Sequence, residues 1–222
     1  MNTQVEINKI GTTTLATAGK YCDRNVDVNV TVHDTDDLLQ GTLEGEYVSD
    51  KVTKLQYAAF YGCNKLTKIS LPNCTETVSG YTFNGCSGVK EIDLPKLTTI
   101  GDAARVFYNM QGVKEISLPE LTTAPNLNTT FFNCHNVKRI NLPKLGTTTV
   151  QTRAFGNCYY LETIILGGDF KTLANTDAFY YTAQLSGDFS VYVPDALVDT
   201  YKTATNWSAF ADKIKPMSEL EG

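Results

Sequence analysis

The chain has 222 residues, 42% of them hydrophobic, and carries 24 Asp and Glu against 19 Lys and Arg, a formal net charge of −5. That supplies apolar material for one long domain and excludes the basic footprint of a nucleic-acid or anionic-membrane binder. No run of about 18 apolar residues occurs, so no membrane-spanning helix or insertion is predicted, and the opening "MNTQVEINKIGTTTLATAGK" shows no basic region followed by an apolar one, so no signal peptide is expected.

Residues 1–45 form the first predicted segment. Within it "TTTLATAGKYCDRNVDVNVTV" at 12–32 reads as two strands around a turn at Gly19, the second alternating Val26, Val28, Val30 and Val32. This stretch resembles short β modules at the front of bacteriophage tail-associated and gut-bacterial surface proteins. "HDTDDLLQGTLEG" at 33–45 is polar and reads as a connection into the second segment.

From 46 to 193 one phrase recurs. An aromatic is followed three residues later by cysteine or a substitute in "FYGC" at Phe60, "FNGC" at Phe83, "FYNM" at Phe107, "FFNC" at Phe131, "FGNC" at Phe155 and "FYYT" at Phe179, at spacings of 23 and then 24 residues. Each carries the same apolar phrase behind it: "LTKISLP" from Leu66, "VKEIDLP" from Val89, "VKEISLP" from Val113, "VKRINLP" from Val137 and "LETIILG" from Leu161, degenerating to "FSVYVP" at 189–194. The I-x-L alternation predicts a short strand with one face inward, and proline ends it without needing a ladder donor. One such coil cannot bury its own apolar face, whereas stacked coils share a continuous core. An all-β sandwich, the rival reading, does not predict identical phrases at near-constant spacing. The repeat therefore predicts a solenoid, with Phe60, Phe83, Phe107, Phe131, Phe155 and Phe179 in one internal stack and Cys63, Cys86, Cys134 and Cys158 in another.

The phrase "AFYGCNKLTKISLP" and its relatives, over about residues 52–194, resemble the bacterial leucine-rich repeats of BspA-like type. Met110 and Thr182 depart from that pattern in the cysteine slot, and Gly167 stands where proline would. The resemblance implies a right-handed solenoid of short strands and irregular or helical turns. It also implies a place among bacterial surface and secreted proteins, a role in adhesion or partner binding, and no catalytic residues.

At 194–222 the period changes to helical. Asp195 after Pro194 is placed to cap a helix carrying Leu197, Val198 and Tyr201, and Trp207, Phe210 and Ile214 make a second short stripe before Pro216. A solenoid exposes core and strand edges at its ends, so this segment reads as a C-terminal cap.

Candidates for chemistry are few. Zinc needs a tight cluster such as paired CxxC, and none is present; a catalytic cysteine is one thiol beside a base, not a column. Disulfides Cys63–Cys86 and Cys134–Cys158 stay open on spacing, since rungs about 4.8 Å apart fall inside the bridging range. In-register side chains that point the same way instead favour free thiols acting as small apolar residues. Cys74 occupies the slot of Leu97, Leu121 and Leu145 and reads as core, leaving Cys22 as the candidate reactive or intermolecular thiol. His135 sits in a variable turn slot, and His33 with Asp34, Asp36 and Asp37 is a cation hint without the glycine and glutamate of an EF-hand loop.

Two exposed features remain. Outward positions of the stacked strands form charged columns in which Lys68 faces Glu91 and Glu115 faces Arg139; Lys68, Lys90, Glu91, Lys114, Glu115, Lys138, Arg139 and Glu162 make that face a candidate binding surface. The turn side is tyrosine-rich, with Tyr57, Tyr61, Tyr81, Tyr108, Tyr159, Tyr160, Tyr180 and Tyr181, a second candidate for carbohydrate or protein. The expected function is a non-enzymatic module that binds a host or bacterial surface protein or carbohydrate. It needs no cofactor or metal and sits at a bacterial surface or is secreted. The alternative is a structural part of a phage tail, located on the virion.

Overall fold

The computed structural model describes residues 30–32, 43–101 and 104–220; Cys22, Gly19, His33 and the Asp34–Asp37 run lie outside them. The chain winds into a solenoid of about 7 turns built from parallel strands. Each turn contributes a strand to a long wall, and most contribute a second, shorter one.

The strands in chain order are β1 (Val30–Val32), β2 (Glu44–Val48), β3 (Val52–Leu55), β4 (Lys65–Ser70), β5 (Glu76–Thr77), β6 (Glu91–Asp93) and β7 (Thr99–Ile100). They continue with β8 (Glu115–Ser117), β9 (Arg139–Leu142), β10 (Thr149–Val150), β11 (Thr163–Leu166), β12 (Thr172–Leu173), β13 (Ser190–Val193) and β14 (Ile214–Pro216). The long wall runs β2-β4-β6 and then β8-β9-β11-β13-β14; the short one runs β1-β3-β5-β7 and, after single bridges through Thr123 and Asn126, β10-β12. Register is set by the repeat length: Ile69 lies opposite Ile92, and Ile116, Ile140 and Ile164 face one another in sequence. Strand β2 starts at Glu44, so the polar stretch read as a connector ends inside the long wall, paired with β4.

Sequence spacing alone predicts an unbroken ladder, but the wall parts between β6 and β8, which share no ladder. Ile92 beside that seam is only partly buried, while Ile69, Ile116, Ile140 and Ile164 are fully buried. Continuity across the seam comes from the turn side, where Phe83 N–H donates to the Val106 carbonyl at 2.9 Å, and from Ile100 N–H to the Thr123 carbonyl at 2.8 Å.

That turn side is a third ladder. The amide of each Phe donates to the carbonyl just before the next Phe, from Phe60 to Thr82 at 2.8 Å through Phe155 to Ala178 at 2.9 Å. Keeping this turn in step requires left-handed backbone two residues after each Phe. Gly62, Gly85, Asn109, Asn133, Asn157 and Tyr181 fill that slot at φ between 52° and 79°, and all but Tyr181 are the residue types that adopt it most readily. A second left-handed slot, two residues before Phe, holds Ala58, Tyr81, Arg105, Thr129 and Arg153. Thr129, at φ 48°, is β-branched and therefore the most strained of them. Thr129→Asn is expected to raise stability by about 0.5–1 kcal/mol, read as an upward shift of the urea midpoint at constant slope. A downward shift would show that the turn does not hold Thr129 in this conformation.

Inside the coil, Phe60, Phe83, Phe107, Phe131 and Phe155 are fully buried and Phe179 nearly so. Successive ring centroids lie 5.4–5.6 Å apart with planes within 17° of parallel. Tyr47 meets Phe60 edge-on at the N-terminal end, and Phe189, Phe210 and Trp207 close the column against Phe179.

The C-terminal segment departs from a pair of amphipathic helices. Helix α1 (Val198–Thr203) is a single short turn and a half, Trp207–Phe210 is a 3-10 turn, and Ile214 belongs to strand β14, which extends the long wall beyond β13. Asp195 caps no helix; its carboxylate instead accepts the Ser218 N–H at 3.1 Å and anchors the chain end. Trp207 and Tyr201 are fully buried over the last coil. Lys171 is buried with them: its Nζ donates to the carbonyls of Leu145 at 2.6 Å, Gly167 at 2.8 Å and Asp169. Its backbone is clamped by Tyr201 Oη, which accepts the Lys171 N–H, and by Trp207 Nε1, which donates to the Lys171 carbonyl. Nothing in the repeat pattern marks Lys171, because its slot is filled differently in the other coils.

Candidate interaction surface

The cysteine column is structural. Cys74, Cys86, Cys134 and Cys158 carry free, buried thiols, and Cys63 is buried in line with them. The Cys86, Cys134 and Cys158 thiols donate to the carbonyls of Phe60, Phe107 and Phe131 at 3.0, 3.0 and 3.2 Å, each reaching back into the preceding coil. Thr182 Oγ1 makes the equivalent bond to the Phe155 carbonyl at 2.8 Å. The slot therefore asks for a small donor, which explains why Thr182 serves; Met110 supplies volume without a donor. Burial raises the Cys74 thiol to about 11 and the Cys134 thiol to about 12, and pushes Cys86 and Cys158 well above the ordinary range. Such thiols are poor nucleophiles at neutral pH. Gly167 replaces proline where a Cβ would collide with the Pro143 carbonyl.

The charged face of the long wall is largely engaged with itself. Lys68 pairs with Glu91 at 2.5 Å, Lys138 with Glu162 at 2.7 Å and Arg139 with Glu115 at 3.5 Å, all across neighbouring rungs. The Glu91 contact holds the Lys68 ammonium above its usual value. Lys90 and Lys114 are exposed and take part in none of these pairs. Exposed pairs of this kind contribute little each; their effect is to align strands and neutralise the face.

The turn side is different. Its tyrosines divide: Tyr159 stacks on His135 at 4.7 Å and Tyr160 stands apart, half-exposed. The others join a continuous strip that also contains three residues the apolar periodicity does not single out, Arg105, Phe132 and Arg153. Tyr57 and Tyr61 lie 5.6 and 6.5 Å from Tyr81. The Arg105 guanidinium sits 5.3 Å from the Tyr81 ring and 5.6 Å from Tyr108, and donates to Tyr81 Oη at 2.8 Å. Tyr108 stacks on Phe132 at 5.5 Å; Arg153 lies 5.8 Å from Phe132 and 5.0 Å from Tyr180, which meets Tyr181 edge-on at 4.3 Å. Gly156 leaves room for the Phe132 ring, which would otherwise meet a Cβ at 2.9 Å. The signal is partly present in the sequence: the slot after Phe is aromatic in four of six coils, with Tyr61, Tyr108, Phe132 and Tyr180, and the slot two before holds Tyr81, Arg105 and Arg153 in three of six. Arg105, Phe132 and Arg153 are missed by a reading of the apolar pattern because they lie outside that alternation.

No group of three or more His, Cys, Asp or Glu that could hold a metal ion occurs among the described residues, and no helix among them is long and apolar enough to cross a membrane. A stack of parallel strands around a Phe, Leu and Ile core, with chemistry confined to its outer walls, defines the class: a leucine-rich repeat solenoid, a scaffold that presents an extended surface. Residues 49–186 match the model of the BspA type leucine-rich repeat region in 6 copies, and the chain belongs to that family. Among solved structures it is similar to a leucine-rich repeat protein of T. pallidum, at 17% identity over 67% of this chain and 75% of that one, with a TM-score of 0.42. It is also similar to one from Bacteroides ovatus, at 22% identity over 81% of this chain, with a TM-score of 0.44; there it spans only 44% of the other's length. No curated protein matches it. Leucine-rich repeat proteins are generally protein-binding or adhesion modules and typically non-enzymatic, and those of BspA type are often surface-located or secreted.

Proposed function

We propose that this chain is a non-enzymatic protein-binding module of a bacterial surface or secreted protein, and that it binds through the turn-side strip. The carrying observation is the continuous run of exposed and half-exposed tyrosine and arginine from Tyr57 to Tyr181, preorganised by mutual stacking. Tyrosine and arginine dominate binding energy at protein interfaces, and rings already held in place lose little freedom on binding. The charged wall is a weaker candidate because its pairs would have to be broken or matched. Glycan adhesion is less well supported: a sugar stacks on an open ring face, and the faces of Tyr81, Tyr108 and Phe132 are covered by neighbouring groups. The stretch 12–32, which carries the resemblance to phage tail-associated proteins, lies outside the described residues except for Val30–Val32, and no observation favours the virion.

The test is to probe the purified full chain against arrays of bacterial surface and host extracellular proteins, beside a glycan array, with a folded Tyr81→Ser/Tyr108→Ser variant in parallel. Protein hits weakened at least tenfold by the double substitution are expected. An absence of protein hits, hits indifferent to the substitutions, or hits confined to glycans would overturn the reading.

A further inference from the structure

We infer that the strip's partner is an acidic polypeptide segment in the polyproline II conformation, with carboxylates three residues apart; this rests on the protein-binding role proposed for the strip. The first support is charge. In a chain of net charge −5, Arg105 and Arg153 are exposed on the strip and enter none of the wall's ion pairs. Each is held between two aromatic rings, and among the described residues the one hydrogen bond made by either guanidinium is Arg105 to Tyr81 Oη. An arginine has five N–H donors in a planar fork, so both retain the geometry that takes a carboxylate through two bonds. An oriented fork that enters no ion pair among the described residues calls for an anion.

The second support is spacing. Arg105, Thr129 and Arg153 occupy one slot of successive coils, linked through the amide of Arg105 to the Asn128 carbonyl and that of Thr129 to the Thr152 carbonyl. Coils stack about 4.8 Å apart, so the two arginines are separated by roughly 10 Å along the wall. A polyproline II helix rises about 3.1 Å per residue with three residues per turn, which puts residues i and i+3 on one edge about 9.3 Å apart. An extended strand offers same-face spacings of about 6.8 or 13.5 Å and misses both arginines at once. Polyproline II also leaves its carbonyls unbonded, and the strip presents tyrosine hydroxyls as donors; docking on aromatic surfaces is its common mode of recognition. Asp177 follows Arg153 in the same slot, its carbonyl accepting the Arg153 N–H.

The probes are the blocked peptide (Glu-Pro-Pro)4, its lysine counterpart (Lys-Pro-Pro)4, the respaced (Glu-Pro-Pro-Pro)3 and an alternating polyuronate, titrated calorimetrically into the full chain. We expect (Glu-Pro-Pro)4 to bind at least tenfold tighter than the lysine and respaced peptides. Arg105→Gln and Arg153→Gln should each weaken it at least fivefold, Arg105→Lys should lie between, and Lys90→Gln/Lys114→Gln should leave it unchanged, with thermal midpoints confirming folded variants. Equal binding of the respaced peptide would reduce the effect to unspecific attraction; dependence on Lys90 and Lys114 would move it to the charged wall; tighter binding of the polyuronate would make the partner a glycan. Each overturns the inference. Array hits that need Tyr81 and Tyr108 but not the two arginines would overturn it alone and leave the protein-binding role standing.

Discussion

Phe107→Ala is expected to lower the unfolding free energy by about 3–5 kcal/mol, the usual cost of a cavity left by a buried aromatic. The ring is fully buried between Phe83, at 5.4 Å, and Phe131, at 5.6 Å, so the substitution removes two stacking contacts as well as apolar area. The Phe107 carbonyl still accepts the Cys134 thiol and its amide still donates to Thr130, so the backbone ladder survives and the loss reports side-chain packing alone. A solenoid holds together through nearest-neighbour interfaces. A central cavity therefore weakens the coupling between its halves, and a lower urea slope should accompany the lower midpoint if the halves begin to unfold separately. A loss under 1 kcal/mol would show that Phe107 is not in the column.

Raising the pH from 7.5 to 10 is expected to cost about 5 kcal/mol of stability. The thiols of Cys74, Cys86, Cys134 and Cys158 are all pushed up by burial. A thiol raised in the fold stays protonated while its unfolded counterpart, near 8.5, ionises; its contribution is complete below that value and is lost as the pH climbs. At 1.36 kcal/mol per pH unit, the four together cost roughly 8 kcal/mol by pH 10. Lys171 works in the opposite sense. Burial draws its ammonium down to about 8, against the pull of the Asp169 charge, so the fold regains stability between that value and the unfolded one near 10.4, roughly 2–3 kcal/mol of it by pH 10. Tyr201, raised by burial, adds a further loss above pH 10. The net is comparable with the whole stability of an ordinary domain, so urea midpoints should collapse between pH 8.5 and 10. A flat profile would mean that the thiols do not titrate on unfolding. Titration of six thiols in denaturant without reductant separates that outcome from bridging, which would yield fewer.

The C-terminal segment shows how far periodicity carries. Trp207 and Phe210 are legible as apolar and terminal, but helical spacing also claims Ile214, which pairs as a strand. A three-residue element has no period of its own, and the decision falls to the open edge of β13, whose unpaired backbone groups accept one more rung.

The solenoid, its register and its core are legible in the chain alone, because a side chain that must be buried once per coil has to recur once per coil. Phe at 23 or 24 residues, the I-x-L strand and its terminating proline are therefore all written in the spacing. So are the Gly and Asn residues that admit left-handed backbone, although their meaning emerges only from the turn they complete. The remaining features exist only in the folded chain. The break between β6 and β8 has no counterpart in the pattern, and Lys171 lies inside only because three carbonyls and the Tyr201 and Trp207 side chains enclose it. The same is true of the strip. Arg105, Phe132 and Arg153 are ordinary surface residues along the chain and become one surface only when each coil sets them beside the tyrosines of the next.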